Sequence, residues 1–478
     1  MGVLNAASVV IPNRVLAGVR VEGPDEDTFT LVVRAAKLLG RAEVTSGGPV
    51  GVPRRIHILS TLPEAWANLL RETGAFGTGQ LVLEPLHSAA VHSTLESMLA
   101  QDPGEGARDW VIGARVSGES GTPGIPSPAG AVGLSFASGG GLGVSLLHAI
   151  RSPAEGRGDL TQELRRWLGH PPWDPKAGPS QVWWSGASLP TGSILSGTPS
   201  GNPGSPPPPP PLPVADVASP LRPLAVLVEG ATELPTDASF GLWIDWGAHH
   251  LTVREVRRHG PVSVEGLPRR GDAPLPLEPA AWTARDKIPL QAVSEGAYVS
   301  DARYLESLPF RWRLEADKCG NCGRWTFPPR GRCPHCGETR EIDHGRLPEM
   351  GGVLETYTVI RKGAQPSEFD FMERALGSYA VGLVRLPGGI RLTLQIADSD
   401  PATLAPGQVV ELVLRRLYPQ EGAWRYGLKA MVRRDLPLDE SVFQPSPPPP
   451  PSAPAAPRRQ RARSPRTARA APEGAPAP

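Results

Sequence analysis

Residues 319–337 read CGNCGRWTFPPRGRCPHCG and contain all four cysteines of the chain. Cys319 and Cys322 form one CxxC pair, and Cys333 and Cys336 form the second. Two such pairs supply four thiolates to one tetrahedral metal ion, and zinc is favoured over iron for a site of this kind. Because the protein fills all four positions, the metal is predicted to be structural and not catalytic.

Other uses of cysteine fit this pattern less well. A disulfide framework is typical of small secreted chains, and this chain has 478 residues and no further cysteine. A redox site would need a single CxxC pair. Turn residues in and after each pair favour two metal-binding knuckles; they are Gly320, Asn321, Gly323, Pro334 and Gly337.

The composition indicates several domains joined by linkers. The chain has 54 glycines, 57 prolines, 40% hydrophobic residues and a formal net charge of +1. A net charge this small indicates no global field for nucleic acid or membrane. No run of 18 apolar residues suggests a membrane span, and the first residues lack the basic region of a signal peptide and the myristoylation pattern. We therefore expect a reduced, cytoplasmic protein with no membrane partner.

Residues 1–152 are predicted to form an α/β layer domain. A strand is expected from Val9 to Ile11. Other strands are expected at 55–59, 80–84, 110–116 and 131–137, and helices at 25–39, 63–72 and 88–99. The 25–39 helix would carry acids in its first turn and Lys37 near its end. Alternation of strands and helices is typical of α/β folds.

The middle of the chain is less regular. Residues 153–190 are an extension with a helix at 161–168, and 191–220 form a Pro/Gly/Ser-rich linker that serves as a spacer. A docking site for a proline-binding module is the alternative for that linker. Residues 221–299 remain unassigned, with strand-like segments at 224–229, 242–246 and 251–256. Residues 436–478 form a Pro/Arg-rich tail predicted to be disordered.

Residues 300–345 are predicted to be a helix and a rubredoxin-like zinc ribbon, and 346–435 a small barrel. Ser300 would cap a helix that ends at Pro309. Five strands are expected at 352–361, 378–386, 389–396, 408–416 and 424–433, with a tight hairpin at 387–389. Five short antiparallel strands are typical of an OB-type barrel.

The pattern CxxCGxxxxPPRxxCxxCG followed by such a barrel resembles the zinc-ribbon plus OB-fold proteins that accompany thiolases. The matching residues are Cys319, Cys322, Gly323, Pro328, Pro329, Arg330, Cys333, Cys336 and Gly337. The resemblance implies an accessory subunit that packs beside a thiolase-fold enzyme and helps to hold acyl-CoA. Archaeal complexes of thiolase with hydroxymethylglutaryl-CoA synthase and the steroid side-chain aldolases are examples of this family.

The N-terminal residues are similar to the first half of a hydroxymethylglutaryl-CoA synthase. Segments 25–28, 56–63 and 128–133 carry this looser likeness. It implies a divergent thiolase-like domain, with 221–299 as a remnant of the second half. The family has a nucleophilic cysteine at the start of a helix, where this chain has Ser88. The resemblance therefore implies a domain without that nucleophile, and no synthase activity follows from it.

Ser88 has two interpretations. A serine nucleophile needs a general base, and His92, one helical turn further on, or His87 could serve as one. The simpler interpretation is that Ser88 caps the helix and the histidines are ordinary.

Three weaker signals concern anions and a second metal. The glycine-rich segment 138–143 before an expected helix could cradle a phosphate, but a flexible turn is favoured. His249, His250 and Asp245 suggest a metal only weakly, because neighbouring strand residues point to opposite faces. The arginines of the tail could attract an anionic partner, but a solvated tail is favoured.

The leading hypothesis is a non-catalytic scaffold that holds structural Zn²⁺ and binds a thiolase-fold enzyme and acyl-CoA. The first alternative is an acyl-CoA condensing or acyltransferase enzyme that uses Ser88. The second is a nucleic-acid-binding ribbon and barrel, a partner that we do not expect. It would need a basic, aromatic barrel face, for which the candidates are Arg391, Arg415, Arg416, Tyr418 and Tyr426.

Overall fold

A computed structural model of the chain describes fourteen segments. They are residues 2–16, 19–46, 52–117, 128–138, 141–151, 179–186, 219–235, 240–246, 250–267, 274–279, 282, 299–347, 351–361 and 369–433. We call the described residues from 2 to 282 the N-terminal unit and those from 299 to 433 the C-terminal unit. The predicted helix at 161–168, the linker up to residue 218 and the tail after residue 433 lie outside the described residues.

The N-terminal unit contains one large mixed sheet and four α-helices. Its strands are β1 (Val3–Val10), β2 (Arg14–Leu16), β3 (Val19–Val21), β4 (Arg55–Ser60), β5 (Gln80–Pro85), β6 (Arg108–Arg115), β7 (Gly130–Ala137), β8 (Leu142–Arg151), β9 (Gln181–Gly186), β10 (Phe240–Trp246), β11 (His250–Arg258), β12 (Ser263–Glu265) and β13 (Leu275–Pro276). Its helices are α1 (Thr28–Thr45), α2 (Ala67–Glu72), α3 (Ser88–Ala100) and α4 (Arg222–Glu233). Short 3₁₀ helices at Glu64–Trp66 and Ser219–Leu221 precede α2 and α4.

The large sheet has ten strands in the order β5-β4-β6-β7-β1-β8-β11-β10-β9, and β12 pairs with β1. Strands β9 to β12 come from residues 181–265, for which the sequence had suggested no fold. A separate small sheet has the order β13-β2-β3. The N-terminal unit is therefore one α/β layer structure, as the alternation of strands and helices predicted.

Helices cover both faces of the central strands. In β6, Ile112 belongs to the hydrophobic cluster that contains α1, whereas Val111 belongs to the cluster that contains α3 and α4. Successive strand residues point to opposite faces, so a strand buried on both sides carries apolar residues at nearly every position. This burial explains the continuous apolar runs of β6 and β7, which are buried except at their last residues.

Three expectations for helix and strand positions in the N-terminal unit were wrong. Segment 224–229 lies in helix α4 and not in a strand, because a short apolar run alone does not distinguish a buried helix from a buried strand. The helix expected after the glycine-rich segment 138–143 is instead strand β8, so no helix N-terminus is there to bind a phosphate. Helix α1 begins at Thr28, after the acids, and ends well beyond Lys37, because its apolar stripe continues through Ala42.

The C-terminal unit follows the predicted order of helix, ribbon and barrel. Its helices are α5 (Asp301–Arg313) and α6 (Asp370–Leu376), and its ribbon strands are β14 (Glu315–Cys319), β15 (Trp325–Thr326) and β16 (Ile342–Arg346). The barrel strands are β17 (Gly352–Arg361), β18 (Ser378–Arg385), β19 (Arg391–Ala397), β20 (Val409–Gln420) and β21 (Ala423–Val432). They close in the order β17-β18-β19-β21-β20, which confirms the OB-type barrel. A 3₁₀ turn at Pro387–Gly389 forms the predicted hairpin, and another occupies Pro401–Thr403.

Helix α5 begins as predicted but does not end at Pro309. The Ser300 hydroxyl accepts a hydrogen bond from the Arg303 amide and caps the helix. Pro309 lies inside the helix, which continues to Arg313 and ends at Leu314 in the left-handed conformation. Buried Leu308 and Trp312 keep the last turn packed, which offsets the backbone hydrogen bond that proline cannot donate.

The two units share one hydrophobic core. The cluster that holds α1 against the large sheet also contains Trp312 of α5 and Tyr426 of β21. Phe29 in α1 is fully buried, with its ring 4.9 Å from that of Tyr426 and 5.9 Å from that of Trp312. None of the helices in the described part of the chain combines the length and apolar character that a membrane span requires.

Candidate functional site

The four cysteines form one compact cluster. Their sulfur atoms all lie within 4.8 Å of one another. The Sγ atoms of Cys319 and Cys336 are 3.5 Å apart, and those of Cys322 and Cys333 are 3.6 Å apart. These separations are far longer than a disulfide bond of about 2.05 Å, and they are close to the spacing of roughly 3.8 Å that four 2.3 Å zinc–sulfur bonds would give. The donor set and its spacing fit a tetrahedral zinc ion.

The two cysteine pairs are held by the same backbone pattern. The amide of Gly323 donates to the carbonyl of Cys319 at 2.8 Å, and the amide of Gly337 donates to the carbonyl of Cys333 at 3.0 Å. Both glycines have positive φ angles, 69° and 81°, a conformation that other residues adopt at a cost. The sequence therefore places glycine where each knuckle turns back.

Asp317 anchors the segment between the knuckles, a role that was not predicted from the sequence. Its Oδ2 atom accepts hydrogen bonds from the backbone amides of Arg330 and Gly331, both at 2.7 Å. The residue is 1% exposed. A buried carboxylate that accepts two amide hydrogen bonds fixes the approach of the second knuckle, and a single acid two residues before a CxxC gave no signal of this contact.

Ser88 does not cap α3 as expected. The capping residue is His87, whose Nδ1 atom accepts a hydrogen bond from the Ala90 amide at 3.1 Å. Ser88 is instead the first residue of the helix. The structure thus places Ser88 at the helix N-terminus, where the resemblance puts the family's nucleophile, but uses His87 for the cap.

Both ring nitrogens of His92 contact acceptors. Nδ1 lies 2.6 Å from the carbonyl oxygen of Ser88, and Nε2 contacts the Asp245 carboxylate of β10. Burial alone would lower the pKa of His92, but the hydrogen bond to Asp245 and its charge raise it. A carbonyl and a carboxylate both accept hydrogen bonds, so in this arrangement each ring nitrogen acts as a donor. In this arrangement His92 cannot accept the proton of the Ser88 hydroxyl.

Asp245 was a weak candidate metal ligand in the sequence, and the structure gives it a different role. It is fully buried and also accepts a hydrogen bond from the Ser185 hydroxyl of β9. Ser185 in turn accepts from the Trp243 indole at 2.7 Å. Asp245 therefore connects helix α3 to strands β9 and β10. His249 lies outside the described residues, as does the side chain of His250.

The two units meet at a buried, charged surface that we call the inter-unit interface. Its N-terminal side is the acid triplet, Asp25, Glu26 and Asp27, together with Arg34 and Arg41 of α1. Its C-terminal side consists of Asp398, Glu411, Arg415, Arg416, Tyr426, Lys429 and Arg433 of the barrel.

Each acid of the triplet has its own partner on the barrel. Asp25 contacts the Lys429 ammonium at 2.8 Å, and Glu26 contacts the Arg415 guanidinium at 2.7 Å. Asp27 accepts hydrogen bonds from Arg416 at 2.8 Å and from the Tyr426 hydroxyl at 2.7 Å. Asp27 also caps α1 by accepting from the Thr30 amide.

Burial shapes the ionisation of these acids. Burial raises the pKa of Glu26 to about 7, against the attraction of Arg415, and the nearby charge of Asp398 adds to the increase. Burial also opposes the ionisation of Asp25, but the charges of Lys429 and Arg415 outweigh it and lower its pKa. Two neighbouring acids of the triplet thus respond to the interface in opposite directions.

A second ionic group lies further along α1. Glu411 accepts from Arg41 of α1 and from Arg433 of the barrel, the latter at 2.8 Å. Burial works against the ionised carboxylate, but the charges of Arg41, Arg34 and Arg433 lower the pKa of Glu411 to about 2. The interface therefore contains a carboxylate that stays ionised at neutral pH.

The family models that match this chain lie in its C-terminal unit. The model of the ChsH2 rubredoxin-like zinc ribbon domain matches residues 313–341, and that of the ChsH2 C-terminal OB-fold domain matches residues 346–415. A DUF35 domain-containing scaffold protein of Methanothermobacter thermautotrophicus is 32% identical over 129 residues, which are 27% of this chain and 92% of that protein. The chain belongs to the family of DUF35 domain-containing scaffold proteins.

Other proteins of the DUF35 family match in the same way. Those of Pyrococcus furiosus and Methanocaldococcus jannaschii are 32% and 34% identical, over 89% and 81% of their lengths and 27% and 25% of this chain. Similar solved structures include the Ltp2–ChsH2(DUF35) aldolase, with 23% identity, a TM-score of 0.22, and coverage of 28% of this chain and 98% of that one. MvaS in complex with 3-hydroxy-3-methylglutaryl coenzyme A has 12% identity, a TM-score of 0.40, and coverage of 63% and 98%.

In the DUF35 barrel of this chain, the residues that were candidates for nucleic-acid binding are buried or make other contacts. Arg415 and Tyr426 are buried in the inter-unit interface, and Arg416 pairs with Asp27 there. Tyr418 is 6% exposed, and Arg391 pairs with Glu355 at 2.7 Å. The basic and aromatic residues that the nucleic-acid hypothesis needs are therefore not gathered on one open face of the barrel.

Proposed function

We propose that this chain is a zinc-binding scaffold that binds a thiolase-fold enzyme and its acyl-CoA. In this proposal the chain does not itself catalyse acyl transfer or condensation. The observation that carries the proposal is the match to DUF35 scaffold proteins over nearly their whole length. In this proposal one Zn²⁺ ion is held by Cys319, Cys322, Cys333 and Cys336 and stabilises the ribbon.

The N-terminal unit is, in this proposal, a thiolase-like domain that has lost its nucleophile. Ser88 occupies the start of α3, and the nearby imidazole of His92 is occupied by two acceptors. A serine hydroxyl attacks a thioester only when a base takes its proton. The contacts of His92 therefore argue against the alternative that the chain is an enzyme using Ser88.

The test uses the full-length protein and purified thiolase-fold enzymes encoded in the same genome. We expect at least one to form a complex with the chain in size-exclusion chromatography with light scattering. We also expect the chain or the complex to retain acetyl-CoA in equilibrium dialysis. Absence of any complex together with absence of acetyl-CoA binding would contradict the proposal.

A separate measurement distinguishes scaffold from enzyme. After incubation with acetyl-CoA, intact-mass spectrometry should show no acetyl adduct on the wild-type chain. An adduct that appears on the wild type and is absent from Ser88→Ala would favour the enzyme instead. Because Ser88 is exposed and its hydroxyl does not cap α3, the substitution should leave the fold intact.

A further inference from the structure

Four arginines of the ribbon have no carboxylate in ion-pair contact within the described residues. We call them the ribbon arginines; they are Arg324, Arg330, Arg332 and Arg340. Arg324 is half-buried and the other three are exposed. By contrast, Arg313 at the end of α5 contacts Glu72 and Glu315, each at 2.7 Å. The ribbon arginines therefore carry positive charge that no carboxylate of the described chain pairs with directly.

The acids nearest the cysteines in sequence contact backbone amides instead. Glu338 accepts hydrogen bonds from the amides of Thr339 and Arg340, at 2.8 and 2.7 Å. Asp317 accepts from the amides of Arg330 and Gly331. These two carboxylates thus hold the turns of the ribbon and leave the neighbouring guanidinium groups unpaired.

Two of the ribbon arginines reach the second metal-binding knuckle. The Nη1 atom of Arg324 lies 2.9 Å from Nδ1 of His335, which stands between the two cysteines of that knuckle. The guanidinium of Arg332 lies near Gly337, where an added Cβ atom would be 3.7 Å from its Nη2 atom. Positive charge from two separate parts of the ribbon therefore gathers beside the cysteine cluster.

The proposed metal centre would supply negative charge at this place. Residues 319–340 contain four arginines and one acid, which gives a formal charge of +3 when the cysteines are protonated. Four thiolates and one Zn²⁺ ion together contribute −2, which would reduce the charge of the segment to +1. Cys336 is exposed and Cys322 is half-buried, so this negative charge lies close to the surface that carries the arginines.

We propose that the ribbon arginines are the counter-charges of the zinc–thiolate centre and raise the affinity of the ribbon for zinc. This inference rests on the zinc site of the proposed function and adds a role for residues that do not bind the metal. An arginine stays charged at every pH at which the chain is folded. Its charge attracts the metal–thiolate centre, whereas in the zinc-free ribbon with protonated thiols the arginines only repel one another.

The test measures zinc affinity by competition with a chelator of known affinity, using the full-length chain. One triple variant, Arg324→Gln with Arg332→Gln and Arg340→Gln, removes three charges from the ribbon, and a second places lysine at the same three positions. Arg330 stays as in the wild type, because Asp317 holds the turn at its amide. The matched control removes the same net charge outside the ribbon, from exposed arginines that pair with glutamates; its substitutions are Arg257→Gln, Arg303→Gln and Arg391→Gln.

We expect the glutamine triple variant to bind zinc about tenfold more weakly than the wild type at about 0.1 M salt. That loss is slightly more than twofold for each arginine, which lies within the range of exposed charge pairs. The lysine triple variant and the control should keep the wild-type affinity. The difference between the wild type and the glutamine variant should shrink at about 1 M salt, because the screening length falls from about 10 Å to about 3 Å.

Three results would overturn the proposal. Equal zinc affinity of the wild type and the glutamine variant would mean that the arginines are only solvated. An equal loss in the lysine variant, or a loss that persists at about 1 M salt, would assign the effect to guanidinium contacts such as that of Arg324 with His335. A wild-type chain that binds no zinc would overturn the zinc site itself, which separates that failure from the failure of the arginine role. An unchanged urea midpoint at saturating zinc would show that the variants are folded.

Discussion

Replacing Glu26 with glutamine should change how the stability of the chain depends on pH. Glu26 is buried in the inter-unit interface, where its pKa is raised from an ordinary value of 4.5 to about 7. The folded chain therefore holds the Glu26 proton more tightly than the unfolded chain does. The resulting stabilisation is complete below pH 4.5 and is lost as the pH rises through about 7.

The size of this effect follows from the two pKa values. The gap between 4.5 and about 7, at about 1.4 kcal/mol for each pKa unit, corresponds to roughly 3 kcal/mol. Glutamine has the shape of the protonated carboxyl group and cannot ionise. We expect Glu26→Gln to gain stability relative to the wild type as the pH rises from 5 to 8, by up to that amount.

The assay is urea unfolding of both proteins at several pH values between 5 and 8, with zinc present throughout. Asp25→Asn is the matched control, because the pKa of Asp25 is lowered and its stabilisation is present above its ordinary value of 3.8. That variant should be less stable than the wild type across the whole range, since it leaves the buried Lys429 ammonium without its counter-charge. The prediction would be refuted if Glu26→Gln were less stable than the wild type by a similar amount at every pH. That result would mean that the attraction to Arg415 outweighs the effect of burial on Glu26.

Four further predictions concern the shared core, the ribbon and α3. Phe29→Ala should cost about 3–5 kcal/mol in urea unfolding, because the ring is fully buried between the units; a loss below 1 kcal/mol would contradict a shared core. Asp317→Asn should release zinc to a competing chelator faster than the wild type, while Cys333→Ser should abolish the stoichiometry of about one zinc per chain in metal analysis. In ¹⁵N NMR at pH 6.5, most His92 rings should carry a proton on both nitrogens, because the hydrogen bond to Asp245 and its charge outweigh burial and raise the pKa of His92 above its ordinary value of 6.5; a neutral ring at pH 6.5 would support its use as a base.

The ribbon and the barrel could be predicted from sequence because their signals are local. The four cysteines and the glycines that follow each pair lie within 19 residues, and the knuckle geometry depends on that spacing alone. The alternation of Leu392 and Leu394 with polar neighbours indicates a barrel strand in the same local way. Nothing distant in the chain is needed to specify either feature.

The inter-unit interface could not be predicted in this way. The acid triplet was interpreted as the first turn of a helix, because acids at that position are a common local pattern. In the structure, Asp25 and Lys429 are partners across 404 residues of sequence, and only the folded chain brings them together. The contact between His92 and Asp245, 153 residues apart, was missed for the same reason.

The positions of the metal cluster and the inter-unit interface determine which part of the fold depends on the metal. Helix α5 is tied to the barrel through contacts that do not involve the cysteines, since the Tyr304 hydroxyl and the Trp312 indole both donate to the Tyr426 carbonyl, at 2.9 and 3.0 Å. Tyr426 in turn contacts Asp27 of the N-terminal unit. Because these contacts do not involve the cysteines, loss of zinc should unfold the ribbon while the barrel stays attached to the N-terminal unit. The metal then stabilises the ribbon, whereas the buried charges of the inter-unit interface and Phe29 hold the two units of the chain together.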